Sequence, residues 1–85
     1  MPEKTPVGEV THYFANISVA VVKLSDSVKE GDMLLFEGAT TSFEQKAESM
    51  QIEHKEIKEA GKGDAIGMKV KERVREGDMV FRITS

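Results

Sequence analysis

The sequence has no cysteine and no tryptophan, and only two prolines, one asparagine and two glutamines among its 85 residues. Without cysteine, disulfides and thiolate metal sites are both excluded. No apolar run exceeds four residues, as in Val19 to Val22, far short of the roughly 20 that a membrane-spanning helix needs. Met1-Pro2-Glu3-Lys4 lacks the apolar stretch of a secretion signal. The expectation is a cytoplasmic protein with no membrane partner. Neither sign of charge is in large excess. Twelve basic against fifteen acidic side chains leave a formal net charge of −3, which opposes indiscriminate attachment to phosphate backbones. A nucleic-acid role would therefore need a local basic patch. Charged residues make up 32% of the chain while side-chain amides are scarce, a balance found in heat-adapted proteins. The length allows one small domain and excludes a catalytic domain joined to a regulatory one.

Met1 to Pro6 carries both prolines and two charges and offers nothing to bury, so it reads as a flexible tail, with a single domain over residues 7–85. Val7 to Phe14 mixes β-branched and aromatic residues with polar ones, and Ile17 to Leu24 is almost continuously β-forming. Ala15-Asn16 between them reads as a tight hairpin connection, since Asn tolerates positive φ. Further along, Val28-Lys29-Glu30-Gly31-Asp32-Met33 returns as Val74-Arg75-Glu76-Gly77-Asp78-Met79, with a weaker third copy in Lys62-Gly63-Asp64. Each Gly-Asp pair stands just before an apolar stretch. Three turns, at Gly31-Asp32, Gly63-Asp64 and Gly77-Asp78, are expected to use glycine for positive φ and to lead into strands. Similar turn geometry explains the echo more simply than duplication does.

Glu44 to Ala60 resists a single assignment. It is rich in Glu, Lys, Gln, Ala and Met, and Phe43, Ala47, Met50, His54 and Ile57 fall at helical spacing. The same residues also alternate as strands would, with Met50, Ile52 and His54 set against Gln51, Glu53 and Lys55. Periodicity leaves both readings open.

The succession of strand, hairpin and strand, the Val28-Lys29-Glu30-Gly31-Asp32 turn, Ser49 to Lys55, Glu59-Ala60-Gly61-Lys62-Gly63-Asp64-Ala65-Ile66-Gly67-Met68 and Arg75 to Val80 resembles the second domain of translational GTPases such as elongation factor Tu. It is closer still to small translation elongation factor-like proteins, and similar modules follow some collagenase-like peptidases. The likeness covers Val7 to Ile83, and Ala60 to Gly67 is its most specific part. It implies an all-β fold, a closed Greek-key β-barrel of about six main strands, with Glu44 to His54 extended. Main core candidates are then Val10, Ile17 or Val19, Val21, Leu35, Ile52, Ile66, Met68, Val70, Met79, Phe81 and Ile83. In relatives that carry aminoacyl-tRNA, an Arg and a Glu near the end of the second strand help hold the acceptor end. Val21-Val22-Lys23-Leu24 stands in that neighbourhood here, which speaks against acceptor-end binding.

Of chemistry there is little. Gly61-Lys62-Gly63-Asp64 lacks the spacing of a phosphate loop and sets a carboxylate where phosphate would sit, so no GTPase domain, bound nucleotide or cofactor is expected. His12 and His54 have no His-x-x-x-His partner and read as structural or exposed residues rather than metal ligands. Glu53-His54-Lys55-Glu56 reads as a solvated face, and Thr40-Thr41-Ser42 as a loop without a nucleophile elbow. No catalytic set emerges.

The best binding signal is Lys69-Val70-Lys71-Glu72-Arg73-Val74-Arg75. If the segment is extended, Lys69, Lys71, Arg73 and Arg75 form a basic ridge opposite Val70, Glu72 and Val74; the plainer reading is a charged, solvated connection between the last two strands. Lys55 and Lys58 are candidate additions, and Tyr13 and Phe14 at the hairpin tip are candidate aromatic contacts. The sequence therefore reads first as a non-enzymatic module that docks electrostatically on RNA or a ribosome. The alternative is a protein-interaction or assembly module associated with a larger enzyme, favoured by the net negative charge and by Ala20 and Val22 if they face outward.

Overall fold

A computed structural model describes residues 3–53 and 55–84. Ten strands follow in order: β1 (Glu3–Phe14), β2 (Val19–Leu24), β3 (Val28–Lys29), β4 (Met33–Glu37), β5 (Ser42–Lys46), β6 (Met50–Ile52), β7 (Lys55–Glu56), β8 (Glu59–Ala60), β9 (Ala65–Lys69) and β10 (Met79–Thr84). There is no helix among the described residues. Eight strands form one antiparallel sheet in the order β5-β4-β10-β1-β2-β9-β6-β7, and β3 pairs with β8 beside it. The all-β class expected from the sequence holds. The expected closure into a Greek-key barrel is not seen: among the described residues no ladder joins the β5 edge to the β7 edge. The sheet instead curls around a single buried cluster.

The three Gly-Asp turns share one geometry. Gly31, Gly63 and Gly77 have φ of 95°, 92° and 92°, a region that costs a residue with a Cβ about 1–2 kcal/mol. In each turn the Asp carboxylate accepts a 2.9 Å hydrogen bond from the backbone N–H three residues earlier: Lys29 to Asp32, Gly61 to Asp64 and Arg75 to Asp78. Each turn also docks on one buried residue of a neighbouring segment. Gly31 N–H donates to Ala47 O and Ala47 N–H to Asp32 O; Gly63 and Asp64 bracket Leu24 in the same way, and Gly77 and Asp78 bracket Val10. The echo in the sequence is thus a device used three times, each copy fixing where the following strand, β4, β9 or β10, begins.

β1 lies between β10 and β2 and starts earlier than the sequence suggested. Glu3 to Pro6, expected as a tail, pair with β10 from Glu3 opposite Thr84 to Pro6 opposite Phe81. Register shifts between Pro6 and Gly8 and between Val10 and His12 let this long strand bend. The hairpin to β2 is a four-residue loop with its positive φ at Ser18, not the tight Ala15-Asn16 connection expected.

Val10, Ile66, Met68 and Val70 are buried as expected, but most other core candidates are not. Ile17 is 57% exposed in the hairpin loop. Val19, Val21, Leu35, Ile52, Met79, Phe81 and Ile83 are half-buried, and apart from Ile52, which packs against the core cluster, their neighbours Ala20, Val22, Leu24, Leu34, Phe36 and Val80 fill the core instead. Ala20 and Val22, read as outward, are fully buried. Phe36 and Phe43 stack at 5.0 Å between centroids with planes 4° apart. Burying each such side chain is worth about 1.5–3 kcal/mol, so this cluster outweighs any single hydrogen bond in the fold.

Gly38 packs against the turn of Asp78, a carboxylate only 6% exposed. A Cβ on Gly38 would fall onto Asp78 Oδ1, whereas a Cβ on Gly67 meets nothing nearer than Val19 Cγ1 at 3.5 Å. Gly38→Ala should therefore lower unfolding free energy in urea by about 1–3 kcal/mol, with Gly67→Ala changing it by less than about 1 kcal/mol. Equal midpoints for the two variants would show that the Gly38–Asp78 contact does not constrain the fold.

Candidate functional site

Among the described residues, no three His, Cys, Asp or Glu side chains converge closely enough to hold a metal ion. His12 Nδ1 stands 3.3 Å from Glu76 Oε1 at the surface, and its ring meets Phe14 edge-on at 4.4 Å. His54 lies outside the described residues. Thr40 is exposed; Thr41 is buried, its carbonyl accepting from Gly38 N–H, and Ser42 opens β5. The hydroxyl cluster thus forms the β4–β5 connection.

A groove of about 400 Å³ runs between the β5–β6 connection and the residues that follow β9. Gln45, Lys46, Glu48, Ser49, Lys69, Val70 and Lys71 line it. Gln45 spans its floor: the amide Nε2 donates to Lys69 O and Oε1 accepts from Lys71 N–H, both at 2.9 Å. One side chain thereby imitates a strand ladder and ties β5 to the chain beyond β9. Three lysines to one glutamate make this stretch locally positive on a chain of net charge −3.

The basic ridge is only partly the one expected. Lys69 ends β9, but residues 70–78 form no strand, and Glu72 is exposed rather than set inward with buried Val70 and Val74. The segment pairs with no strand and leads into the turn at Gly77 that docks on Val10. Lys69, Lys71, Arg73 and Arg75 all remain exposed, with only Lys69 and Lys71 lining the groove. Lys55, in β7, and Lys58 are exposed as well. At the β1–β2 tip, Phe14 is 42% exposed while Tyr13 packs partly against the core.

Two features are not apparent from the sequence alone. Gln45 stands there only as one residue of a helix-or-strand segment. The outward face of β4 and β10 reads as core, although Glu37, at the end of β4, marks the solvent side by strict alternation.

No family model matches the chain. It is 40% identical over 79 residues to an uncharacterized protease of Methanocaldococcus jannaschii, a match covering 92% of this chain and 19% of that protein. It is 35% identical over 82 residues to a collagenase of Porphyromonas gingivalis, covering 94% of this chain and 23% of that one. The chain thus spans about a fifth of the length of the curated relatives it matches. Among solved structures, the C-terminal domain of a Geobacillus thermoleovorans protein assigned to the U32 peptidases superposes with a TM-score of 0.85 at 24% identity, over 89% of this chain and 96% of that one. That superposition establishes the fold. These likenesses overturn the elongation-factor reading and the translation-module function drawn from it. The same strand and turn order belongs to a module found in peptidase- and collagenase-named chains.

Replacing Gln45 by Ala removes both bonds that join β5 to Lys69 and Lys71. At about 0.5–1.5 kcal/mol each, the urea midpoint should fall by the equivalent of roughly 1–3 kcal/mol, and the Lys71 amide should exchange faster in hydrogen-exchange NMR. Unchanged exchange at Lys71 would mean that the amide bridge does not hold the groove together.

Proposed function

We propose that this chain is an accessory β-module of a U32-type peptidase, non-catalytic in itself and working in the cytoplasm by docking on the polypeptide that carries out hydrolysis. The observation that carries this reading is the asymmetry of coverage: the matches take in 92% and 94% of this chain but 19% and 23% of the protease and the collagenase. Proteolysis needs a nucleophile or activated water with its acid and base in hydrogen-bond reach. In those relatives, about four fifths of the chain remains to supply it. The polar groups of this fold are engaged differently: the Asp carboxylates of the three turns accept from backbone N–H, and Gln45 joins two segments. Fold alone does not assign function; the reading rests on the sequence matches.

A graft tests it on an intact enzyme. This chain replaces the matching 82 residues of the Porphyromonas gingivalis collagenase, and collagen cleavage is compared with that of the unmodified enzyme and of a graft carrying an unrelated β-domain. The module reading requires the homologous graft to stay within about tenfold of the unmodified kcat/KM, with the unrelated graft lower. A homologous graft that folds but cleaves no better than the unrelated one would overturn it, as would collagen cleavage by this chain alone.

A further inference from the structure

The outward side of β4, β10 and β1 carries a grid fixed by the strand registers. Met33 pairs with Ile83, which pairs with Lys4 on its other side; Leu35 pairs with Phe81, and Phe81 with Pro6. Glu37 pairs with Met79, and Met79 with Glu9. On the far side of β4, Lys46 stands beside Met33 and Glu44 beside Leu35. An apolar centre of Met33, Leu35, Phe81, Ile83 and Met79 is therefore framed by Lys4, Lys46, Glu44, Glu37 and Glu9. Met33 is 37% exposed and the others half-buried, although the core lies on the opposite side of the sheet. Lys4 crosses this centre: its Nζ sits 4.8 Å above the Phe81 ring and reaches Glu37 at 3.2 Å. Exposed pairs of this kind contribute little, so displacing it is cheap. An apolar centre with a charged rim is the anatomy of a protein interface.

We infer that this face is the surface through which the module packs on the body of a U32-type peptidase, an inference that rests on the function proposed above. The occupant follows from where the chain enters the fold. The Geobacillus domain is C-terminal in its protein, so everything preceding it arrives through the strand equivalent to β1. Here the first described residues of β1, Glu3 to Pro6, form one side of the grid, opposite Thr84 to Phe81. In a protein so arranged, a preceding body joins the module at this end of the grid, within reach of its outward face. The cationic groove of Lys46, Lys69 and Lys71 and the exposed Phe14 and Ile17 of the β1–β2 tip have no such link to an entry point.

The test uses the double variant Leu35→Lys with Phe81→Glu. Each new charge faces an opposite one already present, Glu44 beside position 35 and Lys4 beside position 81, so the isolated chain should stay folded, with a urea midpoint lowered only by the apolar burial lost at these two half-buried positions. In the collagenase graft the same pair should lower collagen cleavage at least about tenfold and split thermal unfolding into two transitions, as the module comes loose from the body. If the graft without these substitutions is inactive, the proposed function fails. If that graft is active and the double variant matches it in cleavage and in a single transition, the function stands and this face is not the contact. Sedimentation of the isolated chain closes the alternative: a dimer that dissociates in the double variant would assign the face to a second copy and overturn the inference.

Discussion

Three turns docked on three buried residues set the architecture. At Val10, Leu24 and Ala47, a turn glycine donates its N–H to the residue's carbonyl, and the following Asp carbonyl takes the residue's own N–H. A pair of such bonds contributes only about 1–3 kcal/mol net, less than burial of a few core side chains. Its importance lies in phase. Each Asp precedes a strand, so docking fixes which way that strand's first residue points. Met33 and Ala65 come out exposed and Met79 half-buried, while Leu34, Ile66 and Val80, one position on, are buried. A slip of one residue would turn every side chain of the strand to the other face.

The same device shows how much of the fold is legible. The Gly-Asp echo and the positive φ of its glycines can be read from the sequence directly. The phase of the strands after it can also be read, once one copy is used to interpret the others. Ile66 and Met68, two and four residues past Asp64, are core residues as expected, and the same offsets past Asp32 and Asp78 give Leu34, Phe36 and Val80. Placing Leu35, Met79, Phe81 and Ile83 in the core takes the opposite phase, one that leaves Arg82 pointing outward. Arg82 in fact occupies the inward phase at an open end of the sheet, where its guanidinium bonds Ser27 O and pairs with Asp26 at 3.6 Å. In β2, where Val19 to Val22 is apolar in both phases, Lys23 is the one marker of the solvent side.

Residues 43–60 are illegible for a different reason. Phe43, Ala47 and Met50 are buried, and they would equally form the apolar stripe of a helix, so the pattern does not separate the two. Tertiary pairing separates them: β5 completes a five-residue ladder with β4, and Ser49 and Glu53 adopt φ of 55° and 50°, which no helix accommodates. The Gln45 bridge lies beyond reach for the same reason. A glutamine in a charged run carries no sign that both ends of its amide will find backbone partners 24 and 26 residues away.

The division of labour between the two faces connects fold to association. The core cluster beneath the inner face, completed by Val28 and Val74 from outside the main sheet, holds every fully buried large side chain, so stability is concentrated there and in the turns. The outer face keeps apolar residues where polar ones would satisfy the alternation equally well, and Leu35 and Phe81 contribute less to folding than Leu34 and Val80 beside them. A surface whose side chains are half-wasted in the free molecule gains most when a partner removes them from water, at about 25 cal/mol for each Å² of apolar area covered. Rows of this composition therefore make physical sense on a surface that a partner covers, and little on one that stays in water.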